Sequence, residues 1–277
     1  MAMALNAGVS VLSFCEHDSL VSARWSVTPY PSTGARLTCV PGVEVTCDHL
    51  GEELHILGYG VNPGHAELVA LVAHNENERR RQFSARARRF RVLGLRLEEA
   101  EASRVNGGRA MTVAPLLKAL ALANPASDAL RPYLDGATLN YADFRRDFLD
   151  GGRPCYVPAR WVKPGQAIEA IQAAGGSPVL AHPGAYPFLA DRAGAHSLIA
   201  ALASAGLAGL ESFSTYHDAE NSLRFEHLAA EHGLASTVGS DFHGPSVKPD
   251  VRLGDPAWAP VRAHEAAAEW VERVVLT

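Results

Sequence analysis

Apolar residues come in short runs toward both ends of the chain, and in longer helical spacings between them. Runs over 9–14, 37–45, 54–59, 178–181, 209–213 and 235–238 have strand length and strand composition, as expected of buried strands. Among the later ones lie helical patterns over 165–174, 195–205 and 218–232. Strand, helix, strand at this spacing predicts βαβ units and a parallel sheet. The middle differs. Almost nothing there reads as strand; the pattern predicts a long helix over 65–93 and shorter ones near 112–123 and 141–149. We therefore read an α/β scaffold in two parts, 1–62 and 151–277, interrupted by a helical insertion over 63–150. Gly151-Gly152-Arg153-Pro154 forms the return linker. There is no internal repeat and no low-complexity tract.

With 277 residues, the chain is long enough for one large barrel or two ordinary domains. Apolar content of 47% and charged content of 20% are those of a globular enzyme-sized protein. A formal net charge of −5 argues against a global nucleic-acid footprint, and no DNA partner is indicated. No apolar run reaches the roughly 18 residues of a membrane span, and no signal-peptide pattern opens the chain. The expected location is the cytoplasm. Cys15, Cys39, Cys47 and Cys155 form no Cys-x-x-Cys pair, so they read as reduced cysteines rather than a zinc knuckle or a disulfide framework. Oligomeric state is not legible.

Candidate chemistry gathers where strand-like runs end. Ala181-His182-Pro183-Gly184, Gly239-Ser240-Asp241-Phe242-His243-Gly244 and Cys15-Glu16-His17-Asp18 each follow such a run, and barrel enzymes keep their chemistry at the C-terminal ends of strands. With Glu44, His55 and His217 the candidates are His17, Asp18, Glu44, His55, His182, His217, Asp241 and His243. A lone carboxylate at Glu44, in an otherwise apolar strand, is costly to bury without a metal or cation. His55, flanked by apolar residues, is equally awkward unpartnered. Asp241 and His243 alternate along an extended segment and so point the same way. Imidazole and carboxylate without thiolate favour Mn, Fe or Zn. So many ligands suggest two or three divalent metal ions, the usual clamp for hydrolysing a phosphoester. Seven arginines between Arg79 and Arg91 form either a solvated helical face or a rim that attracts a phosphate backbone. Phosphate-loop, nucleophile-elbow and zinc-finger patterns are absent from the sequence.

Taken in order, Glu16-His17-Asp18, Pro41-Gly42-Val43-Glu44-Val45, His55-Ile56-Leu57-Gly58-Tyr59, Ala181-His182-Pro183-Gly184 and Gly239-Ser240-Asp241-Phe242-His243-Gly244 resemble the PHP (polymerase and histidinol phosphatase) phosphoesterases. Gly209-Leu210-Glu211 leading to His217, and Tyr156-Val157-Pro158, extend the resemblance over most of the chain. It implies a distorted (β/α)7 barrel with a helical insertion. It also implies metal ligands at His17, Glu44, His55, His182, His217, Asp241 and His243, with His17, Asp18 and Glu44 catalytic. Arg109 and Arg160 are the implied grips on substrate phosphate. The implied activity is hydrolysis of a nucleotide phosphate monoester by a metal-activated hydroxide, in the subgroup acting on 3′,5′-bisphosphonucleotides or on RNA 5′ ends. The partner is then a phosphorylated small molecule or a short RNA, and manganese suits the site.

The chain departs from the pattern in three places. The opening strand with Asp-Leu-His-x-His, and the following Ser-Asp-Gly, are not in this sequence; residues 1–8 resemble the tail of the next helix. Glu16 stands where the family has Asp, and Met111 stands where relatives carry the His of Arg-x-His. The alternative expectation is therefore an N-terminally truncated, catalytically impaired protein that binds metal or a phosphorylated ligand and hydrolyses poorly.

Overall fold

The computed structural model describes residues 2–24, 37–105, 112–135, 138–245, 247–256 and 259–271. In chain order the elements are α1 (Ala2–Asn6), β1 (Val11–Phe14), β2 (Thr38–His49), β3 (Glu52–Tyr59) and α2 (Ala66–Val92). Then come α3 (Glu99–Val105), α4 (Val113–Ala123), β4 (Leu134–Asp135), β5 (Thr138–Leu139), α5 (Tyr141–Phe144) and α6 (Pro164–Ala173). The last are β6 (Ser177–Leu180), α7 (Arg192–Ser204), β7 (Gly209–Ser214), α8 (Ala219–Glu231), β8 (Ala235–Gly239) and α9 (Val261–Trp270). Two compact units result. One comprises 1–73, 162–242 and 251–277; the other comprises 74–161 and 243–250.

A six-stranded sheet in the order β1-β2-β3-β6-β7-β8 forms the first unit. β1 and β2 pair in parallel, as do β6, β7 and β8. The parallel pairing expected of the later strands holds for β6, β7 and β8, while β3 runs antiparallel to both β2 and β6. The cause is local. β2 continues through His49, and β3 resumes at Glu52 after only Leu50 and Gly51, whose φ values are 55° and 93°. Two central residues with positive φ make a tight hairpin of the I′ kind. The Asp48 carboxylate accepts the Gly51 N–H at 2.8 Å. A two-residue connection permits only antiparallel pairing.

Helices α6, α7 and α8 cover this sheet because their apolar residues recur every three or four positions. Ile168, Ile171, Ile199, Leu202, Phe225 and Leu228 pack with Val43, Val45, Leu54, Ile56, Leu180 and Leu210. Each such side chain stabilises by about 1.5–3 kcal/mol on burial. The Asp191 and Asp218 carboxylates accept the N–H groups of Gly194 and Asn221, capping α7 and α8. The Asp218 cap starts α8 immediately after His217.

The second unit has its own core of Phe83, Phe90, Leu116, Leu117, Leu120, Phe144 and Leu149. The arginine-rich stretch of α2 is mostly engaged with protein. Arg81 ion-pairs with Glu78 and donates to the Pro158 carbonyl at 2.5 Å. Arg89 donates to the Pro154 carbonyl, Gln82 to that of Val157, and the His74 ring meets that of Arg160. Arg79 lies over Trp161, Arg80 pairs with Glu76, and Arg91 with Glu98. The helix therefore takes up backbone carbonyls of the segment 154–160 that no strand pairs among the described residues.

Candidate metal centre

Glu44 lies in the middle of β2 and is 3% exposed. Three imidazoles converge on its carboxylate. His55 Nδ1 stands 2.9 Å from Oε1, His182 Nε2 3.3 Å from Oε1, and His17 Nδ1 3.3 Å from Oε2. His55 Nδ1 and His182 Nε2 are themselves 3.4 Å apart. Neighbouring ligands at 2.0–2.1 Å from a tetrahedral metal stand roughly 3.3 Å apart, so these spacings fit a shared cation. His17, Glu44 and His55 each offer an atom within 4.8 Å of the others. The residues present therefore fit a divalent ion.

The local chain explains how each side chain arrives there. His17 bridges Glu44 in parallel register beyond the end of β1, with the Asp18 N–H donating to the Glu44 carbonyl at 2.7 Å. The buried Asp18 carboxylate accepts the Thr46 N–H at 3.0 Å and holds this turn against β2. His55 sits on β3, where its backbone N–H donates to the Tyr186 hydroxyl at 2.9 Å and its Nε2 meets Glu53 at 3.2 Å. His182 follows β6, and its N–H donates to Glu211 Oε2 at 2.8 Å. Asp18, His182 and Asp241 all have positive φ, at 46°, 26° and 46°. Left-handed backbone at non-glycine residues is strained, and such strain collects at functional sites.

Charge is strongly coupled here. Burial works to raise the Glu44 pKa, but the charges of His17 and His55 and the His182 bond carry it well below the ordinary carboxylate range. Burial likewise works against His55, yet Glu44 and then Glu53 raise it to about 10. This carboxylate attracts positive charge, supplied here by protons. Glu211 behaves oppositely: burial first, with Asp241 adding to it, pushes its carboxyl up to about 7.

His217, expected as a ligand, does not meet Glu44 in this arrangement. Its Nδ1 donates to the Ser212 carbonyl and its Nε2 accepts the Gly184 N–H, both at 2.8 Å. Burial lowers its pKa, consistent with a neutral ring that ties β7 to the 183–185 turn. Asp241 lies just past β8 in the first unit. His243 and Arg160 fall in the second unit, where Glu78 accepts the Arg160 N–H at 2.9 Å. Arg109 lies outside the described residues. Sequence reasoning did not single out Glu211 or Tyr186 as site residues. A carboxylate inside the otherwise apolar 209–213 run was the available signal for Glu211; Tyr186 carried none.

No family model matches the chain. It is 28% identical over 274 residues to the 5′-3′ exoribonuclease Rnm of Escherichia coli, covering 96% of this chain and 86% of that protein. It is 32% identical over 207 residues to a 3′,5′-nucleoside bisphosphate phosphatase of Chromobacterium violaceum, covering 74% and 67%. Among solved structures, an amidohydrolase of C. violaceum with bound sulfate superposes with a TM-score of 0.72 at 25% identity, covering 91% of this chain and 82% of that one. A Bifidobacterium adolescentis protein assigned as a metal-dependent phosphoesterase gives 0.71 at 22% identity, covering 92% and 84%.

Proposed function

The chain belongs to the PHP family of phosphoesterases, and from that premise we propose that it is a metal-dependent hydrolase of nucleotide phosphate monoesters. Its substrate in this reading is a 3′,5′-bisphosphonucleotide, in line with the C. violaceum relative's name, or the 5′ end of a short RNA, where the name of the E. coli relative points to cleavage of the first phosphodiester. The observation that carries the reading is the buried Glu44 carboxylate with His17, His55 and His182 gathered on it. These four residues would hold a divalent ion of the Mn, Fe or Zn class, with Asp241 as a further ligand for a second. Such an ion supplies Lewis-acid polarisation of a phosphoryl group and acidifies water.

The chain's own residues supply orientation and charge. Glu53 holds His55 Nε2, so that Nδ1 faces Glu44; fixing the far nitrogen of a ligand imidazole sets its tautomer and raises its basicity. Glu211 holds the backbone of His182, and Asp18 fixes the turn that carries His17. His17, Asp18 and Glu44 make up the proposed catalytic set. The impaired-relative alternative is not favoured, since the relatives are phosphoesterases by name and His17, Glu44 and His55 already offer ligand atoms within 4.8 Å of one another.

The test is metal analysis coupled to phosphate release. Protein purified without chelator should contain Mn, Fe or Zn and release phosphate from adenosine 3′,5′-bisphosphate or a 5′-mononucleotide from a 5′-phosphorylated oligoribonucleotide. Chelation, or Glu44→Ala, should cut that rate at least about 100-fold, a modest share of what such ions contribute. Metal-free protein that releases phosphate undiminished overturns the reading.

A further inference from the structure

β6 ends at Leu180, and beyond it the pairing with β3 is completed by a side chain. Ile56 pairs with Leu180, which sets His55 opposite Ala181. The Ala181 N–H donates to the His55 carbonyl at 3.1 Å. Antiparallel residues opposed in this way exchange two hydrogen bonds, so the His55 N–H is expected on the Ala181 carbonyl. It donates to the Tyr186 hydroxyl instead, at 2.9 Å. The chain leaves the strand at His182, whose φ is 26°, and the turn over 183–185 returns the phenol to the strand end. A carbonyl only accepts, whereas a phenol that has accepted one hydrogen bond still has an O–H to donate. Among the described residues nothing accepts it. The side chain is nevertheless buried, at 7% exposure against 3% for Glu44 and 6% for His182. Its ring centroid lies 5.5 Å from that of His182 and 6.4 Å from that of His55.

We propose that Tyr186 is a substrate-binding residue whose hydroxyl donates a hydrogen bond to a phosphoryl oxygen held at the Glu44 cluster. This rests on the phosphoesterase reading above and adds a hydroxyl donor to a site otherwise built from carboxylates and imidazoles. A buried hydroxyl without an acceptor carries a desolvation cost, which an oxygen of the ligand relieves. A phosphoryl group suits the vacancy, since its charged oxygens accept strongly. The donor is also fixed before the ligand arrives. The His55 N–H holds the phenol oxygen, and the ring stacks on Phe188 with centroids 5.4 Å apart and 17° between planes. Little side-chain freedom is then lost on binding, and no reorganisation is needed to aim the O–H. Because the same phenol holds the backbone of His55, it ties the place of the phosphate to the place of a candidate metal ligand.

The experiment measures calorimetric binding of Mn²⁺, and of inorganic phosphate to the manganese-loaded protein. Tyr186→Phe should weaken phosphate about 10- to 100-fold, the worth of one hydrogen bond to a charged group. Its Mn²⁺ affinity should change less than about threefold, because Glu53 still fixes the His55 ring. Protein carrying 4-aminophenylalanine at position 186, which keeps an N–H donor, should bind phosphate within about threefold of wild type. Protein carrying 4-fluorophenylalanine there, similar in size but with no proton to give, should bind like Tyr186→Phe. These two analogues differ at one ring substituent, so their comparison decides the matter even if Tyr186→Phe fails to fold. Equal phosphate affinity in the two analogues, or in wild type and Tyr186→Phe, overturns the proposal. So does wild type that binds no phosphate, or a joint loss of phosphate and Mn²⁺, which marks a residue that only positions His55. If wild type releases no product from adenosine 3′,5′-bisphosphate or from a 5′-phosphorylated oligoribonucleotide, the phosphoesterase reading fails. Phosphate affinity that follows the donor would then still support the Tyr186 contact.

Discussion

Gly239 closes β8 directly beside the buried Glu211, and an added methyl group there is the sharpest probe of how the site is packed. A Cβ on Gly239 would stand 1.6 Å from Glu211 Oε1 and 2.5 Å from its Cδ. Gly239 is not among the residues with positive φ, so alanine suits the backbone and the cost is the collision alone. The carboxylate has little room to yield. It is 4% exposed, and its other oxygen accepts the His182 N–H at 2.8 Å. Overpacking costs about 1–3 kcal/mol, and a lost buried hydrogen bond about 1–3 kcal/mol more. Gly239→Ala should therefore destabilise by about 2–5 kcal/mol, a large share of the roughly 5–15 kcal/mol that holds a domain together.

Urea unfolding of the metal-free protein measures this, and a double-mutant cycle isolates its cause. Glu211→Ala removes the atoms that the methyl strikes, so Gly239→Ala in that background should cost under about 1 kcal/mol. The expected coupling is about 1.5–3 kcal/mol. Metal affinity should fall about 10- to 100-fold in Gly239→Ala, because His182 loses the group that fixes its backbone. The reasoning fails if Gly239→Ala costs less than about 1 kcal/mol, or costs the same in both backgrounds.

Two further outcomes test other parts of the structure. His55 is held at about 10 in the metal-free fold, above the ordinary value near 6.5, so its stabilisation is full below about 6.5 and is lost as pH rises through about 10. Urea midpoints of the metal-free protein should fall across that window and Glu44→Gln should flatten the fall; an unchanged slope would remove Glu44 as the partner. In the second unit, Glu78 is 6% exposed and accepts both the Arg81 guanidinium and the Arg160 N–H. Glu78→Ala strands these donors and should cost about 2–4 kcal/mol in thermal or urea unfolding. A loss under about 0.5 kcal/mol would mean that the 154–160 segment is held by its other contacts.

Local patterns in the sequence were enough to place most elements. The runs at 178–181, 209–213 and 235–238 became β6, β7 and β8 within a residue, and the long helix at 65–93 became α2. Each depends on side-chain periodicity over a few neighbouring residues, which the chain carries by itself. The chemistry of Glu44 and His55 was legible for a related reason: a charged or ionisable group in an apolar strand demands a partner. The sequence did not say which partner. Glu44 meets His182 across 138 positions, and His55 meets the Tyr186 hydroxyl across 131.

Tertiary structure decided what depends on such meetings. The two-residue turn at Leu50 and Gly51 lacks the Asn-Gly signal, and the antiparallel course of β3 follows from positive φ values that a leucine seldom adopts. His182 and His217 look alike in sequence, each a histidine past a strand. The fold brings one to Glu44 and gives both nitrogens of the other to the backbone groups of Ser212 and Gly184. The α2 arginines read as a charged face until the 154–160 carbonyls came within reach of them. Periodicity is a property of adjacent residues, whereas hydrogen-bond and charge partnership is a property of whichever groups the folded backbone brings within about 3 Å.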